Sequence, residues 1–255
     1  MTTRELDQTL RAIGVHPGAT VMLHSDAAVA AQLPTGTPQE KMRMLLDTFL
    51  ELLGDTGTLL VPTFSYSFCR GEDFSIETSP SLVGQFTEFA RVDPRSKRTE
   101  DPNFSFCVFG DKSEVFVNLA PDSSFGPGSV FERLYLVDGI IVFLGCSIEK
   151  ATFVHWVEER AGVRYREHKF FSGNIVSGNR YTKRGIRYFA RRLELGFRTS
   201  LAQLRKSLIT AGRLQSAPLG RLKVESVRAR DFDRVAMAML EADPHALIQF
   251  EELST

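Results

Sequence analysis

Apolar positions recur at helical spacing over residues 4 to 13, where Leu6, Leu10 and Ile13 share one face; Gly14 and Pro17-Gly18 close the segment. The run Thr20 to His24 is short and continuously apolar, the pattern of a buried strand, and Ser25-Asp26 follows it. The loop Pro34-Thr35-Gly36-Thr37-Pro38 leads into a second helical pattern from Gln39 to Leu53, with Met42, Leu45, Leu46, Phe49 and Leu53 apolar. Thr37 suits an N-cap, with Pro38 at the first helical position. Gly54-Asp55-Thr56-Gly57 predicts a turn, and Thr58 to Thr63 a strand that stops at Pro62. Phe104 to Phe109 and Val137 to Leu144 read as further buried strands, and Ser81 to Arg91 as a helix. Residues 110 to 135 are mixed in pattern and receive no assignment.

Strands alternating with helices at this spacing predict a layered α/β/α domain around a central sheet, mostly parallel or mixed. No Pro/Gly-rich linker interrupts the chain, so residues 1–255 are expected to form one domain. Its character changes from about residue 164. Across Arg180, Lys183, Arg184, Arg187, Arg191, Arg192, Arg198, Arg205, Lys206 and Arg213 the one acid is Glu194. This basic lobe is either a solvated helix face or an anion-binding surface for phosphates.

Composition narrows the function classes. At 43% hydrophobic residues the chain has ample core material, and 31 basic against 31 acidic side chains leave no net charge to attract a nucleic acid. Cys69, Cys107 and Cys146 are widely spaced with no C-x-x-C pair, which argues against a disulfide framework or a zinc site; no metal is expected. The N-terminus lacks an apolar signal core, and no run approaches the ~20 apolar residues of a membrane span. The expectation is a cytoplasmic protein that does not engage a membrane.

Candidate chemistry concentrates after the strand Ile140 to Leu144. Gly145 makes a tight exit, and the following helix carries His155 and Glu158 three residues apart, on one face. Phe153, Val154, Val157 and Ala161 supply its buried side, leaving His155, Glu158 and Glu159 opposite. An imidazole beside a carboxylate is a common general base, and groups just beyond the carboxyl ends of strands line the ligand crevice of open α/β sheets. His24-Ser25-Asp26 also lies at a strand end. Adjacent residues on an extended chain point to opposite faces, so they cannot form a hydrolase triad, and the loop into the next helix is better suited to an anion. Phe125-Gly126-Pro127-Gly128-Ser129 predicts a rigid turn where backbone approaches a ligand. The chain has no dinucleotide fingerprint, P-loop or G-x-S-x-G elbow. Cys146 and His155 as a dyad of an amidase or hydrolase is a competing reading.

At these residues the chain resembles the aminoglycoside 3-N-acetyltransferase type of antibiotic N-acetyltransferases, unrelated in fold to the GNAT acetyltransferases. The resemblance is carried by Val15 to Thr20 with His24-Ser25, by Gly57 to Phe64, by Thr78 to Ser81 through Gly84, by Phe125 to Ser129 with Glu132-Arg133-Leu134, and by Leu144-Gly145 leading to Thr152 and His155-Trp156-Val157-Glu158. It implies an α/β domain that binds acetyl-CoA as co-substrate and passes the acyl group directly to an amine of a sugar-like acceptor. By the same resemblance His155 is the general base, Glu158 its orienting partner and Thr152 a group near the thioester oxygen. His24, Ser25, Asp26, Thr35, Gly36 and Thr37 are implied to line the CoA channel, and Thr63, Phe64, Ser105, Gly128 and Ser129 complete the implied cofactor-binding set. A backbone N–H near Gly128 or Ser129 competes with Thr152 as oxyanion donor.

The chain departs from that pattern at one segment. Drug-modifying members usually carry a His-Pro-Thr-His-Ser type segment where this chain has Glu100-Asp101-Pro102-Asn103-Phe104-Ser105-Phe106. They often also have an acidic acceptor cleft, whereas a basic lobe would repel a polycationic drug. These departures favour an amino sugar, such as a nucleotide-linked one, over a true aminoglycoside resistance substrate. The alternatives are an aminoglycoside 3-N-acetyltransferase and, from another class, a non-catalytic CoA or sugar binding module. The apolar stretch Phe64 to Phe74 would serve the interface of a homodimer.

Overall fold

The computed structural model describes residues 1–250. In chain order its elements are α1 (Thr3–Ala12), β1 (Thr20–Ser25), α2 (Ala28–Ala31), α3 (Pro38–Leu53), β2 (Thr58–Pro62), β3 (Phe74–Ser75), α4 (Gln85–Arg91), β4 (Lys97–Arg98) and β5 (Phe106–Gly110). There follow α5 (Ser113–Val117), α6 (Val130–Leu136), β6 (Ile140–Leu144), α7 (Val154–Ala161), β7 (Arg166–Ser177), β8 (Arg180–Arg191) and β9 (Phe197–Thr199). The chain continues with α8 (Ala202–Thr210), β10 (Leu214–Leu219), β11 (Leu222–Arg228), α9 (Ala229–Ala242) and β12 (Ile248–Phe250).

The main sheet has the order β10-β11-β6-β1-β2-β5-β4. β1 runs parallel to both neighbours, with Val21 opposite Ile140 and Leu59. The outer pairings, β2 with β5 and β6 with β11, are antiparallel. The sheet is therefore mixed, with only its centre parallel. The continuous apolar runs of β1, β2 and β6 follow from cover on both faces. Val21, Leu23, Val142 and Leu144 pack with Leu10, Leu46 and Phe49 on the side of α1 and α3. Met22, Leu60, Ile141 and Phe143 point the other way, into a core with Phe131, Trp156 and Phe232.

Local signals explain the boundaries. Thr37 accepts the Glu40 N–H while the Glu40 carboxylate accepts the Thr37 N–H, a capping box that starts α3 with Pro38 in its first turn. The helix expected from Ser81 begins only at Gln85, because Gly84 takes φ +142°, outside the helical region. The strand expected from Val137 starts at Ile140, after a turn with Asp138 at positive φ. The unassigned segment 110 to 135 holds two short helices, α5 and most of α6.

Most of the basic region is not a helix face, since of its basic residues from Arg180 to Arg213 only Arg205 and Lys206 lie on a helix, α8. Residues 166 to 191 form a long β7–β8 hairpin that pairs with β3. Several of its basic groups find acids distant in sequence: Arg192 with Glu167, Arg205 with Glu225, and Arg213 with Asp231. The expected dimer stretch is also internal, since Phe64, Phe68 and Phe74 are buried within the chain. Among the described residues no helix is long and apolar enough to cross a membrane, and no group of three or more His, Cys, Asp or Glu side chains is placed to hold a metal.

Candidate active site

The carboxyl ends of the three parallel strands open into a cavity of about 700 Å³. β1 brings His24 and Ser25 to it, the exit of β2 brings Phe64 and Tyr66, and the exit of β6 brings Cys146, Thr152 and His155. Gly145 makes that last exit possible. It sits at φ +71°, and a Cβ there would lie 2.5 Å from Val29 Cγ2. Asp26 donates its N–H to the Leu144 carbonyl at 2.9 Å and accepts the Ala28 N–H at 2.8 Å, so β1 and β6 are tied together at the cavity floor.

α7 carries His155 and ends at Gly162, which takes the left-handed conformation common after helix termini. Phe153, Trp156 and Val157 anchor it in the core, with Phe153 edge-on to Phe232 of α9. His155 Nδ1 lies 2.7 Å from Glu158 Oε2, and the phenol of Tyr165 donates to Oε1 at 3.0 Å. Arg166 Nε stands 2.7 Å from the same Oε2. Glu158 is fully buried, contrary to the expectation that this side of the helix faces away from the core. Burial alone would raise its carboxyl pKa, but the His155 hydrogen bond and the Arg166 charge outweigh that and lower it. An ionised Glu158 accepts the Nδ1 proton, which leaves Nε2 with its lone pair as the ring nitrogen available to a ligand. Burial, reinforced by the Arg166 charge, lowers the His155 pKa against the pull of Glu158.

His24 is 7% exposed, stacks on Phe143 and has its pKa lowered to about 4 by burial, so it is neutral. Its Nε2 and the Ser25 Oγ are buried without a hydrogen-bond partner among the described residues. Buried polar groups are normally paired, so these two atoms mark a place where a polar ligand fits. A second recess of about 290 Å³ adjoins the first through Ala27 and reaches Gly36, Pro38 and Lys41 at the start of α3. The cavity also presents Glu149 and Lys150, and both Glu149 oxygens accept the Leu201 N–H at 2.9 Å.

Of the residues singled out in the sequence, His24, Ser25, Asp26, Phe64, Thr152 and His155 line the main cavity, and Gly36 lines the adjoining recess. Thr37 is spent on capping α3, and Thr35 lines neither space. Thr63 and Ser105 lie outside the cavity in a buried knot: Arg98 donates to the Thr63 carbonyl at 2.8 Å and to Ser105 Oγ at 3.1 Å. Gly128 and Ser129 also lie outside it. The Gly128 N–H donates to Glu132 and Ser129 caps α6, while Phe125 of the same turn packs 5.1 Å from the His155 ring. The turn thus positions a ring wall against the imidazole.

The Glu100 to Phe106 segment does not line the cavity. Asp101 accepts the Asn103 and Phe104 N–H groups, and Phe104 joins an aromatic cluster with Phe64, Phe125 and Tyr188. From residue 164 onward, among the described residues, Thr199 alone reaches the cavity wall, so the arginines and lysines of the basic lobe do not line it. Sequence reasoning missed Tyr66, Thr87, Glu149 and Lys150 of the lining and the Tyr165 and Arg166 partners of Glu158. The one available signal for Arg166 was that a glutamate on a largely apolar helix needs a cation.

A family model described as aminoglycoside 3-N-acetyltransferase matches residues 22–241. Aminoglycoside N(3)-acetyltransferase VIII of Streptomyces fradiae is 25% identical over 207 residues, which cover 73% of this chain and 71% of that protein. The SPbeta prophage-derived aminoglycoside N(3')-acetyltransferase-like protein YokD of Bacillus subtilis (strain 168) is 23% identical over 182 residues, 62% of this chain, and the chain spans 65% of that relative's length. In fold, the chain is similar to AAC-IIIb, solved as a binary complex with CoASH, at a TM-score of 0.80 and 19% identity, covering 95% of this chain and 97% of that one.

Proposed function

Since the chain belongs to the aminoglycoside 3-N-acetyltransferase family, we propose that it transfers an acetyl group from acetyl-CoA directly to an amine of an aminoglycoside-type acceptor, with His155 as general base. The observation that carries this reading is the His155–Glu158 pair at 2.7 Å on the wall of the cavity. The fit to acetyl-CoA rests on the two atoms of His24 and Ser25 that lack a partner among the described residues and on the adjoining recess, where the Lys41 ammonium suits a phosphate. When bound, acetyl-CoA supplies the acyl group as an activated thioester.

The chain's own residues do the rest. An acceptor amine is protonated near neutral pH and is not a nucleophile in that form. Nε2 of His155 takes its proton, Glu158 stabilises the imidazolium that results, and a base so positioned contributes ~10²–10⁴-fold. The same imidazolium is the proton source for the departing thiolate. Thr152, on the cavity wall, is the side-chain donor nearest in sequence to His155 for the developing oxyanion, a role whose loss costs about 3 kcal/mol in known enzymes.

A basic lobe would repel a polycationic acceptor, but none of the lobe's arginines or lysines lines the cavity. The lining instead carries Asp26 and Glu149 against Lys150. This balance supports an aminoglycoside-type acceptor over a nucleotide-linked sugar, whose phosphates would meet the carboxylates. The Cys146 dyad loses support, because burial and the Asp26 charge push the thiol up to about 12 and the thiolate is the nucleophilic form. Thiol release from acetyl-CoA, measured across aminoglycosides and nucleotide-linked amino sugars, tests the proposal. Faster turnover of the aminoglycosides supports it; a preference for the nucleotide-linked sugars restores the other acceptor, and no acceptor-dependent release with either class leaves a binding module.

A further inference from the structure

Glu158 has more partners than a simple orienting residue needs. Its Oε2 is shared between His155 Nδ1 and Arg166 Nε, each at 2.7 Å, and its Oε1 takes the Tyr165 hydroxyl at 3.0 Å. The Arg166 Nε–H is not directed along the line to Oε2, so the contact acts through charge rather than through a shared proton. Arg166 is itself 6% exposed at the start of β7 and is held by two further contacts, Nη2 to Thr199 Oγ1 at 3.1 Å and Nη1 to the Phe189 carbonyl at 3.4 Å. Thr199 lines the cavity. The titratable and charged groups around Arg166 include Glu158 and His155 from α7, Tyr165 beside it, and Tyr188 and the cross-strand Arg191 from β8, with Asp243 beyond Tyr165.

We propose that Arg166 is a positioning residue that fixes the tautomer of His155 by holding Glu158 as a carboxylate. The proposal rests on the base reading of His155 given above. A buried glutamate facing an imidazole has two ways to share one hydrogen bond. As a carboxylate it accepts from Nδ1–H, and Nε2 keeps its lone pair for the acceptor amine. As a carboxylic acid it donates to Nδ1, and a neutral ring must then carry its proton on Nε2, where it cannot take another from an ammonium group. Burial favours the acid. Tyr165 donates to either form, so among the described groups that touch the carboxyl, only the guanidinium and the imidazole distinguish them, and the imidazole is neutral in the working base. That leaves the fixed charge of Arg166 to select the carboxylate. Its hydrogen bonds to Thr199 and Phe189 keep that charge in place through the catalytic cycle.

The test pairs imidazole 15N NMR with kinetics on the full chain, comparing wild type, Arg166→Met and Arg166→Lys. In wild type above the His155 pKa, the Nδ1–H tautomer is expected; a dominant Nε2–H tautomer overturns the proposal whatever the variants do. Arg166→Met is expected to shift His155 toward Nε2–H, to lower kcat about 10²-fold with the KM for acetyl-CoA unchanged, and to move the acid limb of the rate profile. Arg166→Lys is expected to recover the wild-type tautomer and most of kcat. A folded Arg166→Met with the wild-type tautomer and wild-type profile overturns the proposal, as does an Arg166→Lys no better than Arg166→Met. Full activity in His155→Gln would instead bring down the base reading alone, leaving the tautomer result to be read by itself.

Discussion

His155 Nδ1 and Glu158 Oε2 are 2.7 Å apart, one turn apart on α7, with the glutamate fully buried and the imidazole ring 23% exposed to the cavity. The pair thus has an inward end that is fixed and an outward end that is free. Replacing the inner partner should damage both stability and catalysis. Glu158→Gln leaves Arg166 buried without its counter-charge, and removing one member of a buried pair costs about 3–5 kcal/mol. Urea unfolding reads the stability loss. Steady-state rates should fall at the same time, within the ~10²–10⁴ range of the base contribution.

Acid should remove activity later than an ordinary histidine would allow. Burial and Arg166 lower the His155 pKa, so the neutral base persists to lower pH, and the acid limb of kcat/KM should have its midpoint below the usual value of about 6.5. Stability carries the same sign. The folded-state pKa values of His155 and Glu158 are both lowered, so the folded chain binds fewer protons than the unfolded chain as pH falls below about 6.5, and stability declines on acidification. Urea midpoints at pH 8 and pH 5 check this.

Cys146→Ala should retain full transferase activity. The thiol is pushed up to about 12, so almost none is thiolate at neutral pH, and the residue acts as part of the cavity wall. An acetyl-transfer rate reduced by orders of magnitude in a folded Cys146→Ala protein would return the covalent mechanism to consideration.

Gly145→Ala should destabilise the chain by about 1–3 kcal/mol from its positive φ alone, and by more because the new Cβ meets Val29 at 2.5 Å. Since Gly145 joins β6 to the loop that carries Cys146, the KM for acetyl-CoA should rise as well. Thermal unfolding and substrate titration measure the two effects.

Much of this site was legible in the residues before any coordinates. The unbroken apolar runs at Thr20, Thr58 and Ile140 marked strands covered on both faces, and Gly145 marked the exit that leads to His155. Capping chemistry at Thr37 located the start of α3. What stayed hidden was three-dimensional. Nothing in the run of arginines after residue 180 shows that Glu225 and Asp231 pair with two later ones, or that β7 and β8 form a hairpin. Thr63 and Ser105 were implied to be cavity residues by the family resemblance, yet their hydroxyls bond each other and the Ser105 hydroxyl also accepts from Arg98. The burial of Glu158 was unreadable because the groups that cover it, Tyr165 and Arg166, come from beyond the end of its own helix.

The most direct test of the account is acceptor-dependent thiol release from acetyl-CoA by wild type and His155→Gln, with an aminoglycoside as acceptor and folding of both proteins verified. The account predicts steady release by wild type and a loss of about 10²–10⁴-fold in His155→Gln, with binding of CoA retained. Equal rates in the two proteins would contradict it.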